Sequence, residues 1–207
     1  LDHLISCDKA GWVLAWKRRN EQVCREDTRL WMVVGRAMHA KQDYSGAAAW
    51  YSDWQKRPGV ELWGMSNYVD ALLNARRYAE AALCASQALT EVEHDHSAPN
   101  VAEVLVVGRL LSGDLSPAMA EFENWREVLD RAETLTGTRK ALDLFSEMLN
   151  ETSGDRLMAL DLRFRTLAKS EFLEQSLMTQ RVWTRQLRKK LSWPRWIWHV
   201  LTTTNLS

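Results

Sequence analysis

Two stretches of this chain say nearly the same thing 34 residues apart. Tyr44-Ser45-Gly46-Ala47 and Tyr78-Ala79-Glu80-Ala81 align tyrosine on tyrosine and alanine on alanine. Each alanine is followed at +4 and +7 by residues of one helical face, Tyr51 and Trp54 in the first copy, Ala85 and Ala88 in the second. Gly35 stands twelve residues before Ala47, with Trp31 one helical turn earlier. A unit of this length holds two helices and a turn, and it cannot bury its apolar face alone. The chain is therefore confined to an all-helical architecture in which successive hairpins cover one another.

The period of 34, with its order of aromatic, glycine, aromatic and small residues, resembles the tetratricopeptide repeat family. The resemblance implies a right-handed superhelical stack of antiparallel helix hairpins, closed by a C-terminal capping helix. Units are expected at 28–61, 62–98, 99–135 and 136–169. In the second, Val69 replaces the family's usual glycine. The third carries Leu105, Val106, a turn at Gly113-Asp114-Leu115, then Ala118, Phe122 and Trp125. In the fourth, Leu142, Phe145 and Leu149 precede a turn at Gly154-Asp155, with Ala159 on the next helix and Arg163 where the family places an aromatic. Ala81 to Ala118 is 37 residues, which assigns three additional residues to the loop His94–Pro99.

Outside the repeats, residues 1–27 read as a partial repeat. One amphipathic helix is expected from Asp8 to Arg19, with Trp12 and Trp16 stacked, and then a polar connector to Thr28. The last segment, 170–207, reads as a long helix with Leu173, Leu177, Trp183, Leu187 and Leu191 on one side and Arg181, Arg185, Arg188 and Lys189 on the other. It is broken at Pro194, with Trp193 just before the break and Trp196 and Trp198 just after it. Six Lys/Arg and no acidic residue lie between Ser176 and Ser207. A capping role packs the leucines onto Leu160, Phe164 and Leu167; peripheral contact with a membrane surface, and a partner-docking or nucleic-acid-binding tail, are the alternatives for this basic, Trp-rich end.

Formal net charge is zero over 207 residues, which argues against nucleic acid as a partner. Three widely spaced cysteines, Cys7, Cys24 and Cys84, form no CxxC pair and fit a reducing, cytoplasmic setting. No glycine-rich phosphate loop, nucleophile elbow or HExxH motif is present, so neither catalysis nor a cofactor is expected. His94-Asp95-His96 has metal-ligand composition but no further ligand nearby, and reads as a solvated loop. Cys84, among alanines, reads as a buried small residue.

The resemblance places the first helix of each pair on a concave side that holds an extended peptide or a helix. The partner-binding residues expected on it are Arg29, Met32, Arg36 and His39, then Trp63, Ser66, Asp70, Leu73 and Asn74, then Val104, Val107 and Leu111. The family's carboxylate clamp for chaperone tails is matched only at Asn67. Met32, Arg36, Asn100 and Val104 occupy its other positions. The function expected is a non-catalytic adaptor or chaperone-like scaffold for a protein, a peptide or an amphipathic helix. The alternatives are a regulatory region whose output domain precedes residue 1, and a membrane-peripheral assembly factor.

Overall fold

The computed structural model describes residues 9–131, 136–170 and 176–191. Among these residues the chain is all-α, with twelve helices and one short 3-10 turn. They are α1 (Ala10–Arg19), α2 (Glu21–Glu26), α3 (Thr28–Ala40), α4 (Tyr44–Tyr51), α5 (Leu62–Asn74), α6 (Tyr78–Glu91), α7 (Ala98–Ser112), α8 (Leu115–Asn124), α9 (Arg126–Asp130), α10 (Thr136–Asn150), α11 (Gly154–Ser170) and α12 (Ser176–Lys190). From α3 to α7 each helix packs on the next, and α3, α5 and α7 also pack on one another in order. The largest interface joins α6 to α7, and α7 also meets α12 near the end of the chain.

One turn is used three times. Gln42, Arg76 and Gly113 all have left-handed backbone, with φ of 60°, 62° and 95°. Each follows the end of a helix and precedes the next by two residues. The amide of each donates three residues back, to His39, Leu73 and Leu110 respectively. The following amides of Asp43, Arg77 and Asp114 donate five residues back, to Met38, Leu72 and Arg109. These bonds satisfy helix-end carbonyls that would otherwise lack partners. The next residue in each case starts the second helix: Tyr44, Tyr78 and Leu115.

Side-chain volume is traded across the hairpins. A Cβ on Gly35 would lie 2.1 Å from Cζ of Tyr51, so only glycine lets the Tyr51 ring lie against α3. The Tyr51 hydroxyl donates to the Met32 carbonyl at 2.7 Å, and burial pushes this phenol well above its usual pKa. In the second unit the same register pairs Val69 with Ala85, both fully buried. At these positions the larger residue is on the first helix. At the next interface Gly108 has the Tyr78 carbonyl and Ala82 within 2.9–3.1 Å of where a Cβ would stand.

Four expectations need correction. The polar stretch after Arg19 is a helix, α2, set off from α1 by Asn20 and held by Lys17–Glu21 and Arg25–Glu21 pairs at i,i+4. Trp12 is 72% exposed, with Trp16 half-buried, so they do not share a packed face. The second helix of the third unit stops at Asn124 and resumes as α9, with Trp125 at the break. In the fourth unit Gly154 begins the helix and Ala159 is exposed; Leu157, Leu160 and Phe164 are the buried stripe. Leu173, Pro194, Trp193, Trp196 and Trp198 lie outside the described residues, as do Cys7 and the side chains of Leu177 and Arg181.

Candidate interaction surface

Helices α3 and α5 carry most of the residues expected to meet a partner. Arg29 and Asn74 are exposed, while Arg36, His39, Trp63, Ser66 and Asp70 are half-buried. Nε2 of His39 pairs with the Asp70 carboxylate across the two helices. Asn74 Nδ2 donates to the same carboxylate at 3.0 Å and to the Asp70 carbonyl at 2.9 Å. Tyr44 sets its ring edge-on to the His39 imidazole at 5.3 Å. The result is a polar cluster that ties the first unit to the second while leaving part of each side chain in water.

The lower end of α5 is organised by a loop that looked purely solvated. Asp95 accepts from the Trp63 amide at 3.2 Å and from the Ser97 amide at 2.6 Å. The first of these satisfies an amide in the first turn of α5, where a helix lacks internal partners. His94 Nε2 lies 2.7 Å from the Leu89 carbonyl, the acceptor at the end of α6. The Trp63 indole donates to Glu61 at 3.0 Å. So two of the three residues of His94-Asp95-His96 hold helix ends. Among the described residues no group of three His, Cys, Asp or Glu side chains stands close enough to hold a metal ion.

Met32 and Val107 do not present themselves to a partner. Met32 is fully buried, with its sulfur lying where a Cβ on Gly64 would stand, and its backbone side is closed by Tyr51. Val107 is 4% exposed, and Leu73 and Val104 are buried as well. The reason is that α7 is enclosed by α5, α6, α8, α9 and α12, so nearly every side of it is packed. The apolar end of the expected surface is thus absent from α7, with Leu111 its half-buried remainder.

Sequence reasoning missed an open cleft and, at the expected packing of the last helix on Phe164, the buried acceptor of Trp183. Between α10 and α11 lies an open cleft of about 750 Å³ lined by Lys140, Asp143, Glu147, Asn150 and Arg163 among others. Its charges are matched across the cleft, with Arg163 Nη1 2.7 Å from Glu147. Behind α11, Trp183 of α12 is 1% exposed and stacks face to face on Phe164, with centroids 4.2 Å apart. Its indole donates to Asp161 at 2.7 Å. The signal for this second feature was present as the spacing Trp183, Leu187, Leu191, but nothing in the pattern indicated Asp161 as its acceptor.

Cys84 lies 4.0 Å from the Tyr68 hydroxyl and is buried, and desolvation raises the pKa of both groups. A thiol held in its neutral form is a poor nucleophile. Among the described residues no helix is long and apolar enough to cross a membrane. No protein-family model, curated protein or solved structure matches the chain.

Proposed function

We propose that this chain is a stack of helix hairpins of the tetratricopeptide-repeat kind, working as a non-catalytic scaffold that holds a peptide or an amphipathic helix. The architecture is supported by the turn that recurs at Gln42, Arg76 and Gly113, and by the packing of α3, α5 and α7 in sequence. Stacking of that order makes the first helices of the pairs a continuous inner face.

The observation that carries the functional reading is the His39–Asp70–Asn74 cluster. It lies on the two inner helices and keeps polar groups at the surface of a region whose other sides are packed. With Arg29, Arg36, Trp63 and Ser66 it offers charge, amide and aromatic groups to an extended ligand, the mixture that backbone and side-chain recognition of a peptide requires. Met32 and Val107 are not part of this surface.

The test is selection of binding peptides from a random library on the native chain, followed by titration against Arg36→Ala/Asn74→Ala. The double variant should bind the selected peptides at least about ten-fold more weakly. Arg36 is half-buried and Asn74 bonds to Asp70, so a loss of stability of about 1–3 kcal/mol is expected as well, and binding is compared at a temperature where circular dichroism shows both proteins fully folded. Equal binding by the native chain and the variant would remove the inner face as the working surface.

A further inference from the structure

Helix α12 is attached differently from the rest of the protein. Its described apolar anchors are Trp183, Leu187 and Leu191, spaced i, i+4, i+8, with Val182 half-buried beside them. Arg185, Arg188, Lys189 and Lys190 are exposed. By contrast α7 packs against five other helices, whereas the described contacts of α12 are with α7, α10 and α11. One apolar stripe against a packed body is how an amphipathic helix lies in a groove as a ligand. A segment of 15 residues is marginal as an isolated helix, so it owes its helicity largely to docking.

The slot beneath it has a shape of its own. Phe145 and Phe164 meet edge to face with centroids 5.6 Å apart, a contact that does not involve α12. Arg165 Nε, one turn along from Asp161, donates to Oδ2 of that carboxylate at 2.6 Å. This fixes the carboxylate and directs Oδ1 to the indole. Asp161 is 1% exposed, one of two buried polar residues in the described core. A carboxylate oriented by a neighbour, beside a corner of two aromatic rings of which one stacks on the indole and the other meets it edge-on, is a receptor for a flat side chain with one N–H donor. At the other end of the helix, Lys190 Nζ donates to the Leu149 and Glu151 carbonyls, the second at 3.0 Å, where α10 ends.

We propose that the Phe145–Phe164–Asp161 slot is a helix-binding site, and that segment 176–191 is its exchangeable internal ligand. The site recognises an amphipathic, basic helix carrying tryptophan at one position and leucine at +4 and +8. It is separate from the inner face of α3 and α5 and does not depend on that face binding a peptide.

Two measurements test this on the full chain. A labelled synthetic peptide of residues 176–191 is titrated into the native protein and into Trp183→Ala. The variant, its slot vacated, should bind the peptide at least about ten-fold more tightly than the native chain. The same peptide carrying Trp183→Ala should bind neither. Equal affinities, no binding to the variant, or wholesale loss of helicity in the variant would each overturn the proposal, the last because α12 would then be integral to the fold. Hydrogen exchange on the native chain gives a check without substitution. Amides of 183–190 should exchange at least about ten-fold faster than those in the middle of α7, through local release of the helix. Identical rates in the two helices would also overturn it.

Discussion

Trp31 and Trp50 each donate an indole N–H to the other's backbone carbonyl, at 3.0 and 2.9 Å. The first bond is the more consequential, because the Trp50 carbonyl lies in the last turn of α4 and has no following helical amide to accept from. Both rings are buried, and cations cover their faces: Arg57 over Trp31, and Arg25 and Lys17 over Trp50. Trp31→Phe should therefore destabilise the protein by about 1–3 kcal/mol in denaturant unfolding, mainly by leaving that carbonyl unsatisfied. An unchanged midpoint would show that another group satisfies the carbonyl.

Gly35→Ala should destabilise by a similar amount, since the new methyl would overlap the Tyr51 ring. The same substitution in a Tyr51→Ala background should be neutral or stabilising, because alanine is the better helix residue by about 1 kcal/mol. The coupling between the two sites, read from a double-mutant cycle, is expected to exceed about 1 kcal/mol. Additive effects would mean that the helices separate to admit the methyl.

The glycines at 64 and 108 discriminate flexible from rigid neighbours. A methyl at Gly64 meets the end of the Met32 side chain, which can change rotamer, whereas one at Gly108 meets the Tyr78 carbonyl and the Ala82 backbone. Gly64→Ala should shift stability by less than about 1 kcal/mol in either direction. Gly108→Ala should lower it by about 1–3 kcal/mol. The reverse order in thermal melts would contradict the packing of α6 on α7.

Gln42 and Arg76 hold left-handed backbone without being glycine. That conformation costs an ordinary residue about 1–2 kcal/mol. Replacing Arg76, which is exposed, by glycine should raise stability by up to about 1 kcal/mol after the added chain entropy of glycine is subtracted. A clear loss instead would assign Arg76 a tertiary role.

The Arg57 hydrogen bond holds the Asp53 carboxyl below its usual pKa. A carboxylate depressed in the folded state adds stability above its unfolded pKa of about 3.9, and that contribution disappears as pH falls through the folded value. An NMR titration of Asp53 should place its midpoint below that of the same residue in Arg57→Gln, and the variant should lose less stability between pH 5 and pH 2 (about the range in which carboxylates protonate). Coincident midpoints would dissociate Arg57 from the shift.

Hairpins were legible in the sequence where one local pattern decides the geometry. Tyr44 and Tyr78 start helices 34 residues apart, and Gly35 marks a close approach whose partner, the Tyr51 ring, only the structure identifies. What was not legible depends on which elements meet. The helical period marks a buried stripe on α7, but α7 is buried nearly all round, so the stripe gave Val107 a surface position that tertiary packing denies it. Met32 likewise lies on the side of α3 that α5 covers through Gly64. Asp161, four residues before Arg165, reads locally as a surface ion pair. Only the return of the chain 22 residues later, bringing Trp183 onto it, makes it a buried acceptor.

The interval from Arg76 to Gly113 exceeds that from Gln42 to Arg76 by three residues, and the surplus was assigned from the sequence to the His94–Pro99 loop. Asp95 of that loop fastens the first turn of α5, and His94 fastens the last turn of α6. The irregular spacing is therefore a tether rather than slack. A version of the chain trimmed to uniform 34-residue intervals would look better by the arithmetic of the period and would lose the clasp that joins the second hairpin to the third.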